Sequence, residues 1–126
     1  PFKDIMMTER MDNQAVFNDK GDYAYIAYVT SPGKEYDLTK FFVSGKDWKS
    51  DKYDGAMDLC SYKNDFYYTC MNYFDNGKNQ QQVFKNDEKL GNEYELITNF
   101  SLDKQKGILT YYGIKKSKIY LITVTL

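Results

Sequence analysis

Residues 66–74 read Phe-Tyr-Tyr-Thr-Cys-Met-Asn-Tyr-Phe, a run of aromatic and polar residues without helical spacing. The turn-forming pair Asn64-Asp65 precedes the run, and Asp75-Asn76-Gly77 closes it. Aromatic residues favour strands, and Asn-Gly tolerates the positive φ that a tight hairpin turn requires. The stretch therefore predicts a β-strand that is entered and left through turns.

The same pattern occurs twice more, at residues 23–29 and at residues 108–114. Weaker strands flank each of the three segments, and we predict them at residues 15–18, 38–44, 57–62, 81–84, 95–102 and 119–126. Residues 4–11 fit either two helical turns or an N-terminal strand. The sequence thus predicts an all-β, antiparallel protein of about nine or more strands.

The three strongest strands recur at a regular spacing. Residues 22–25 align with residues 65–68, Phe42 aligns with Phe84, and a third copy begins near Gly107. The spacing is about 42 residues, which predicts a single domain over residues 1–126 with candidate repeats at 1–44, 45–86 and 87–126. An ordinary meander of nine strands and turns would produce the same period without repetition.

Several architectures fit three units of this length. The units could form a closed trefoil-like or prism-like domain, or a small barrel or sandwich. The alternative is a segment of a β-propeller completed by another chain, because a blade has a similar length and three blades cannot close a ring. In the last strand, Tyr120, Ile122, Val124 and Leu126 alternate with Ile119, Leu121, Thr123 and Thr125. Its first face is therefore clearly apolar and its second only partly so.

Composition argues against several classes of function. The formal net charge is -1, from 17 basic and 18 acidic residues, which gives no cationic excess for binding nucleic acid. No apolar run approaches the roughly 20 residues that a membrane-spanning helix needs, so we expect no membrane insertion. The chain has no histidine, and Arg10 is its single arginine. These absences argue against histidine-dependent catalysis and histidine metal sites, so we expect no catalytic residue, metal or cofactor.

The two cysteines bear on the cellular compartment. A hairpin of residues 58–63 and 66–74 with a loop of about three residues would place Cys60 opposite Cys70 and predicts a disulfide. Two reduced, buried thiols are the alternative. Asn99-Phe100-Ser101 is an N-glycosylation acceptor sequence. Together these features predict a secreted or cell-surface glycoprotein.

The aromatic content suggests a binding or adhesion module that recognises a protein or a carbohydrate. Aromatics make up 17% of the residues, and 13 of them are tyrosines, more phenol than a small core can bury with satisfied hydroxyls. We expect the partner-binding residues to include Trp48, Tyr53, Tyr73, Asp75 and Asn76. Trp48, flanked by charges, would either plug the edge of the core or stand as an exposed anchor.

Two other functions remain open at this point. A barrel lined by Phe and Tyr could carry one small apolar ligand or lipid. A hydrolase could use the carboxylates of Asp51, Asp54 and Asp58, which lie close together in sequence. Lysines are interspersed among these aspartates, as in an ordinary solvated loop, so a non-enzymatic function is the prediction.

Overall fold

A computed structural model describes residues 8–11, 15–74 and 77–126, which form β-strands joined by turns and loops. The strands are β1 (Thr8–Met11), β2 (Val16–Phe17), β3 (Tyr23–Ser31), β4 (Leu38–Gly45), β5 (Gly55–Tyr62), β6 (Asp65–Tyr73), β7 (Asn79–Lys85), β8 (Glu88–Tyr94), β9 (Leu96–Asp103), β10 (Ile108–Lys115) and β11 (Lys118–Thr125). No helix occurs in these three ranges. The predicted all-β class is confirmed.

All nine predicted strands are present, and two further strands accompany them. β1 confirms the N-terminal strand and shows that the helical alternative is wrong for residues 8–11, while residues 4–7 lie outside the described ranges. β8 falls in a polar segment that the sequence pattern assigned to a link between repeats.

The strands form three antiparallel sheets in the order of the chain. In the first sheet, β3 pairs with β4 along one edge and with β1 and β2 along the other. The second sheet has the order β5-β6-β7-β8, and the third has the order β9-β10-β11. The central strands β3, β6 and β10 begin at Tyr23, Asp65 and Ile108, so each predicted unit contains the central strand of one sheet. These are three separate sheets, and the described strands form no closed barrel.

One edge of the second sheet departs from the predicted repeat boundary. β8 begins two residues after the boundary at residue 86, yet it pairs with β7 and completes the second sheet. Asn86 adopts a positive φ of 53° at the turn between these strands, a conformation that asparagine tolerates better than most residues. The third sheet therefore begins only after Tyr94.

The first two sheets bury a common core. Ala24, Ile26 and Val43 from the first sheet meet Phe66, Tyr68, Cys70 and Phe84 from the second in one buried cluster. Tyr68 and Phe84 lie opposite each other in the ladder, with ring centroids 5.3 Å apart and planes within 5°. Tyr68 is fully buried, and its hydroxyl donates a hydrogen bond to the carbonyl of Asn86.

The opposite face of the second sheet packs on the third sheet. Tyr67, Val83 and Tyr94 from the second sheet join Ile97, Leu109 and Tyr111 from the third in the second buried cluster. Successive residues of a strand point to opposite faces, which is why Tyr67 and Tyr68 belong to different clusters. The molecule is thus a stack of three layers in which the middle sheet is covered on both sides. Neighbouring blades of a propeller also stack in this way, and that alternative stays a prediction.

Candidate binding surface

The outer face of the third sheet carries two neighbouring rows of apolar side chains. In the first row, Ile114 on β10 pairs with Leu96 on β9 and with Ile119 on β11. In the second row, Tyr112 pairs with Thr98 and Leu121 on the same two strands. Paired residues of an antiparallel ladder share a face, and buried Leu109 and Tyr111 place the opposite face inward.

These apolar side chains are open to solvent. Ile119 is 69% exposed, Leu121 61%, Leu96 43% and Tyr112 39%. The next row of the same face is polar, because Thr110 pairs with Thr123 and Ser101, and in the last row Ile108 lies between Thr125 and Asp103. Clustered apolar residues with a polar border are typical of protein interaction sites, whereas scattered ones are not. The apolar half of this face is therefore the candidate binding surface.

A basic turn borders the apolar rows. Lys116 and Ser117 have φ values of 50° and 62°, as a two-residue hairpin turn with both central residues left-handed requires. The turn places Lys115 opposite Lys118 beside the Ile114–Ile119 pair. The ion pairs between described side chains do not include Lys115, Lys116 or Lys118. Lys115 and Lys118 share a face with the neighbouring Gly113–Tyr120 pair, which is the face opposite the apolar rows, so the basic turn lies at the end of the sheet without placing these two ammonium groups on the candidate binding surface.

A polar groove runs along the other side of this turn. A cavity of about 460 Å³ in this groove is lined by Asn92, Glu93, Tyr94, Lys115 and Tyr120. Glu93 accepts a hydrogen bond from the amide of Gln80 and lies 3.6 Å from the ammonium group of Lys89. Its carboxylate is thus held by neighbouring side chains, and the groove offers a polar border to the basic turn.

The predicted anchor Trp48 packs against the edge of the first core. Its ring lies parallel to that of Tyr68, with centroids 6.2 Å apart, and at 6.1 Å from Phe66. A Cβ atom at Gly45 would lie only 2.3 Å from the indole, so the glycine permits this close approach. Of the two predicted roles, the plug at the core edge matches this placement.

The other predicted binding residues are not gathered into one site. Tyr53 packs on Phe84 with ring centroids 5.5 Å apart, which makes it part of the same aromatic row as Trp48. Tyr73 is 58% exposed at the end of β6, and its amide donates a hydrogen bond to Asp54 next to Tyr53. Asp75 and Asn76 lie outside the described residues. Trp48 contacts the beginning of β6, so it is separated from Tyr73 by most of that strand.

The predicted disulfide is wrong. Both cysteines are free, with Cys60 paired to Tyr67 and Cys70 paired to Ala56. Cys70 belongs to the cluster facing the first sheet, whereas Cys60 packs on the cluster facing the third. The hairpin turns more tightly than expected, with Tyr62 opposite Asp65, so the cysteines project from opposite faces of the middle sheet. Burial raises the pKa of the Cys60 thiol to about 11 and that of Cys70 to about 12.

The carboxylates considered for a hydrolase have different surroundings. The Asp54 carboxylate lies 2.5 Å from the Lys40 ammonium and 2.8 Å from the Tyr73 amide nitrogen. Burial alone would raise the pKa of Asp54, but these hydrogen bonds and the Lys40 charge hold it below its usual value. Burial raises the pKa of Asp58, and Asp51 is exposed. The contacts of Asp54 join the 51–54 loop to the end of β6, which is a structural role.

The glycosylation acceptor lies on an exposed irregular part of β9. Asn99 has a φ of 57° where the β9–β10 register shifts, and the Thr98 hydroxyl lies 2.9 Å from its side-chain oxygen. Its side chain is open to solvent. Glycosylation of Asn99 remains a prediction.

Sequence reasoning missed the candidate binding surface, although one signal for it was present. The second face of the last strand carries Ile119 and Leu121, which a purely solvated face would not need. The alternation alone does not show whether Ile119 and Leu121 are exposed. Their exposure depends on whether another sheet covers this face, which only the packing of the sheets shows.

Comparison with known proteins adds no assignment. No protein-family model, curated protein or solved structure matches the chain. Within the described ranges, no helix is long and apolar enough to cross a membrane. No group of three or more His, Cys, Asp or Glu residues in those ranges is arranged to hold a metal ion.

Proposed function

We propose that the chain is a non-enzymatic binding module that recognises a protein through the candidate binding surface. The observation that carries this proposal is the pair of apolar rows on the outer face of the third sheet, where Ile119 and Leu121 are each more than half exposed. Water contact with such residues is unfavourable, and burial of apolar surface is the main driving force of protein association.

The surroundings of the surface suggest the chemistry of the partner. The two rows are apolar and the row beside them is polar, so a protein surface with an apolar centre and a polar border would match them. The opposite face of the same sheet already packs on an apolar sheet face, which is the geometry we expect the partner to repeat. No observation on the described residues favours the lipid-carrier or hydrolase alternatives.

The proposed location is the cell exterior or the cell surface. The exposed Asn99 acceptor supports this location, whereas the two free cysteines give it no support. A mass decrease of the protein from its native source on treatment with an N-glycosidase would support it, and unmodified Asn99 would leave the location without structural support.

Affinity capture with matched variants tests the binding proposal. Ile119→Lys combined with Leu121→Lys places two charges in the apolar rows, and we expect it to abolish capture of the partner from a cell-surface extract. Thr123→Lys combined with Thr125→Lys adds the same charge to the polar half of the same strand and face, and it should preserve capture. Titration of the purified captured protein against both variants would then measure the loss of affinity, expected to be at least ~10-fold.

A variant of the other candidate site completes the experiment. If Trp48→Ala abolished capture while the Ile119/Leu121 variant retained it, the contact surface would lie at the edge of the first core and the proposal would be wrong. Circular dichroism and thermal unfolding of each variant would separate lost binding from lost folding.

A further inference from the structure

The three sheets differ in what lies beside β4, β7 and β11, the strands that follow the central strands β3, β6 and β10. In the first sheet, β4 is accompanied by the bridges Ser44–Lys49 and Phe41–Tyr53, and in the second sheet β7 is paired with β8. Among the described strands, β11 pairs with β10 alone. The position that a fourth strand fills in the second sheet is therefore open in the third.

The hairpin geometry identifies which backbone groups this open edge presents. The residues that flank a two-residue turn form a hydrogen-bonded pair, so Lys118 directs its amide toward Lys115. The amide of Leu126, at the same alternation, donates to the Gly107 carbonyl at 2.8 Å. Amide groups alternate in direction along a strand. The amides that point away from β10 therefore belong to Ile119, Leu121, Thr123 and Thr125.

The edge lacks the features by which proteins protect exposed strands. Residues 119–126 read Ile-Tyr-Leu-Ile-Thr-Val-Thr-Leu and contain no charge, proline or glycine. The β10–β11 ladder runs without a bulge through all eight pairs. An unprotected strand of β-branched and aromatic residues with free backbone groups is a template for pairing with another strand.

We propose that β11 pairs antiparallel with β11 of a second copy of this chain, which forms a symmetric dimer with a continuous six-stranded sheet. The pairing uses the edge of the third sheet rather than its outer face, so it stands independently of the proposed function. A two-fold axis perpendicular to the sheet makes the contact self-complementary and leaves the apolar rows of both copies on the same side.

The sequence of β11 selects the register of this pairing. With Ile122 at the two-fold axis, Leu121 lies opposite Thr123 of the second copy and Ile119 lies opposite Thr125. All outward amides and carbonyls then face each other, for about eight backbone hydrogen bonds. Lys118 lies opposite Leu126 of the second copy, which keeps the lysines of the two turns apart. The strand is thus complementary to itself, and this is why a second copy is the chosen occupant.

Analytical ultracentrifugation of the 126-residue chain tests the proposal, over concentrations from ~2 to ~200 µM. We expect a reversible monomer–dimer equilibrium. Thr123→Pro removes an outward amide without removing a hydrogen bond to β10, and it should weaken dimerisation at least ~10-fold. Thr123→Val keeps the amide at the same site and should dimerise like the unmodified chain. A monomer at every concentration, or equal dimerisation of the proline variant, would overturn the proposal.

A cysteine experiment tests the register, and it also serves if the proline variant does not fold. Chains carrying Leu121→Cys are mixed with chains carrying Thr123→Cys under mild oxidation. Because these positions are opposed across the dimer, a disulfide between the two variants should form faster than one between identical chains. Equal rates for the mixed disulfide and for the two disulfides between identical chains would contradict this pairing. Binding of a strand from a different protein at this edge, without any dimer of this chain, would contradict it as well.

Discussion

The middle and the third sheets differ in how many of their faces are covered. β6 is buried continuously from Phe66 through Met71. In β10, by contrast, buried residues such as Leu109 and Tyr111 alternate with more exposed ones. Tyrosine occurs on both strands, but Tyr68 is fully buried and Tyr112 is 39% exposed. Burial of a residue in this molecule therefore depends on which sheet lies above it, since the residue type is the same.

Two leucines on opposite sides of the third sheet give the largest expected contrast. Leu109 is fully buried between the second and third sheets, and Leu121 is 61% exposed on the outer face. Leu109→Ala should lower the free energy of unfolding by about 3 kcal/mol, because it leaves a cavity in a packed core. Leu121→Ala should change it by less than ~0.5 kcal/mol. Urea unfolding of both variants provides the measurement, and equal losses would mean that the outer face is covered.

The cysteines test whether both faces of the middle sheet are covered. Burial raises the pKa of Cys60 to about 11 and of Cys70 to about 12, so at pH 8 each holds at least ~100-fold less thiolate than an exposed cysteine. Both should react slowly with a thiol reagent in the native protein and rapidly in denaturant. Leu121→Cys adds an exposed thiol as the control. If the unmodified chain gave fewer than two free thiols in denaturant without reductant, the cysteines would be joined by a disulfide and their description as free thiols would be wrong.

The smallest effect is a pH dependence at Tyr68. Burial raises the pKa of its phenol, so this group contributes stability that is complete below the unfolded pKa near 10 and is lost as the pH rises above it. Tyr68→Phe should cost about 1 kcal/mol at pH 7, because it removes the hydrogen bond to Asn86. Above pH 10 the difference should shrink by up to about 1.4 kcal/mol per pH unit.

Urea unfolding at pH 7, 10 and 11 measures this difference. The other buried phenols and thiols are shared by both proteins and cancel in the comparison. Tyr112→Phe, on the exposed face, is the matched control for loss of a hydroxyl. A difference between Tyr68→Phe and the unmodified chain that stayed constant with pH would show that the Tyr68 phenol is not protected by burial.

Local sequence patterns predicted the strong strands because aromatic and β-branched side chains act within a few residues. They failed for β8, whose Glu-Lys-Leu-Gly-Asn-Glu-Tyr sequence has little strand propensity. This segment becomes a strand because the edge of β7 supplies hydrogen-bonding partners, and pairing of that kind depends on the neighbouring strand. Its polar residues are tolerated since the strand lies at the edge of the sheet.

The cysteine pair illustrates the second limit. A shift of the β5–β6 register between Met57 and Cys60, where Asp58 has a φ of 62°, changes which face each following residue of β5 occupies. Sequence spacing placed the two cysteines opposite each other, but the tight turn pairs Cys60 with Tyr67, and Tyr67 and Cys70 lie on opposite faces of β6. The candidate binding surface was missed for a related reason, because the sequence pattern does not show that Trp48 and Tyr53 pack along the core edge while Ile119 and Leu121 remain exposed.

The sequence by itself determined the all-β class, the antiparallel arrangement and the three strongest strands, because alternation and turn residues are local properties of the chain. Only the tertiary structure decided which faces are covered, where the thiols point and which strand edge stays open. Those outcomes depend on contacts between residues far apart in sequence, and a pattern along one strand records its two faces without recording what packs against them.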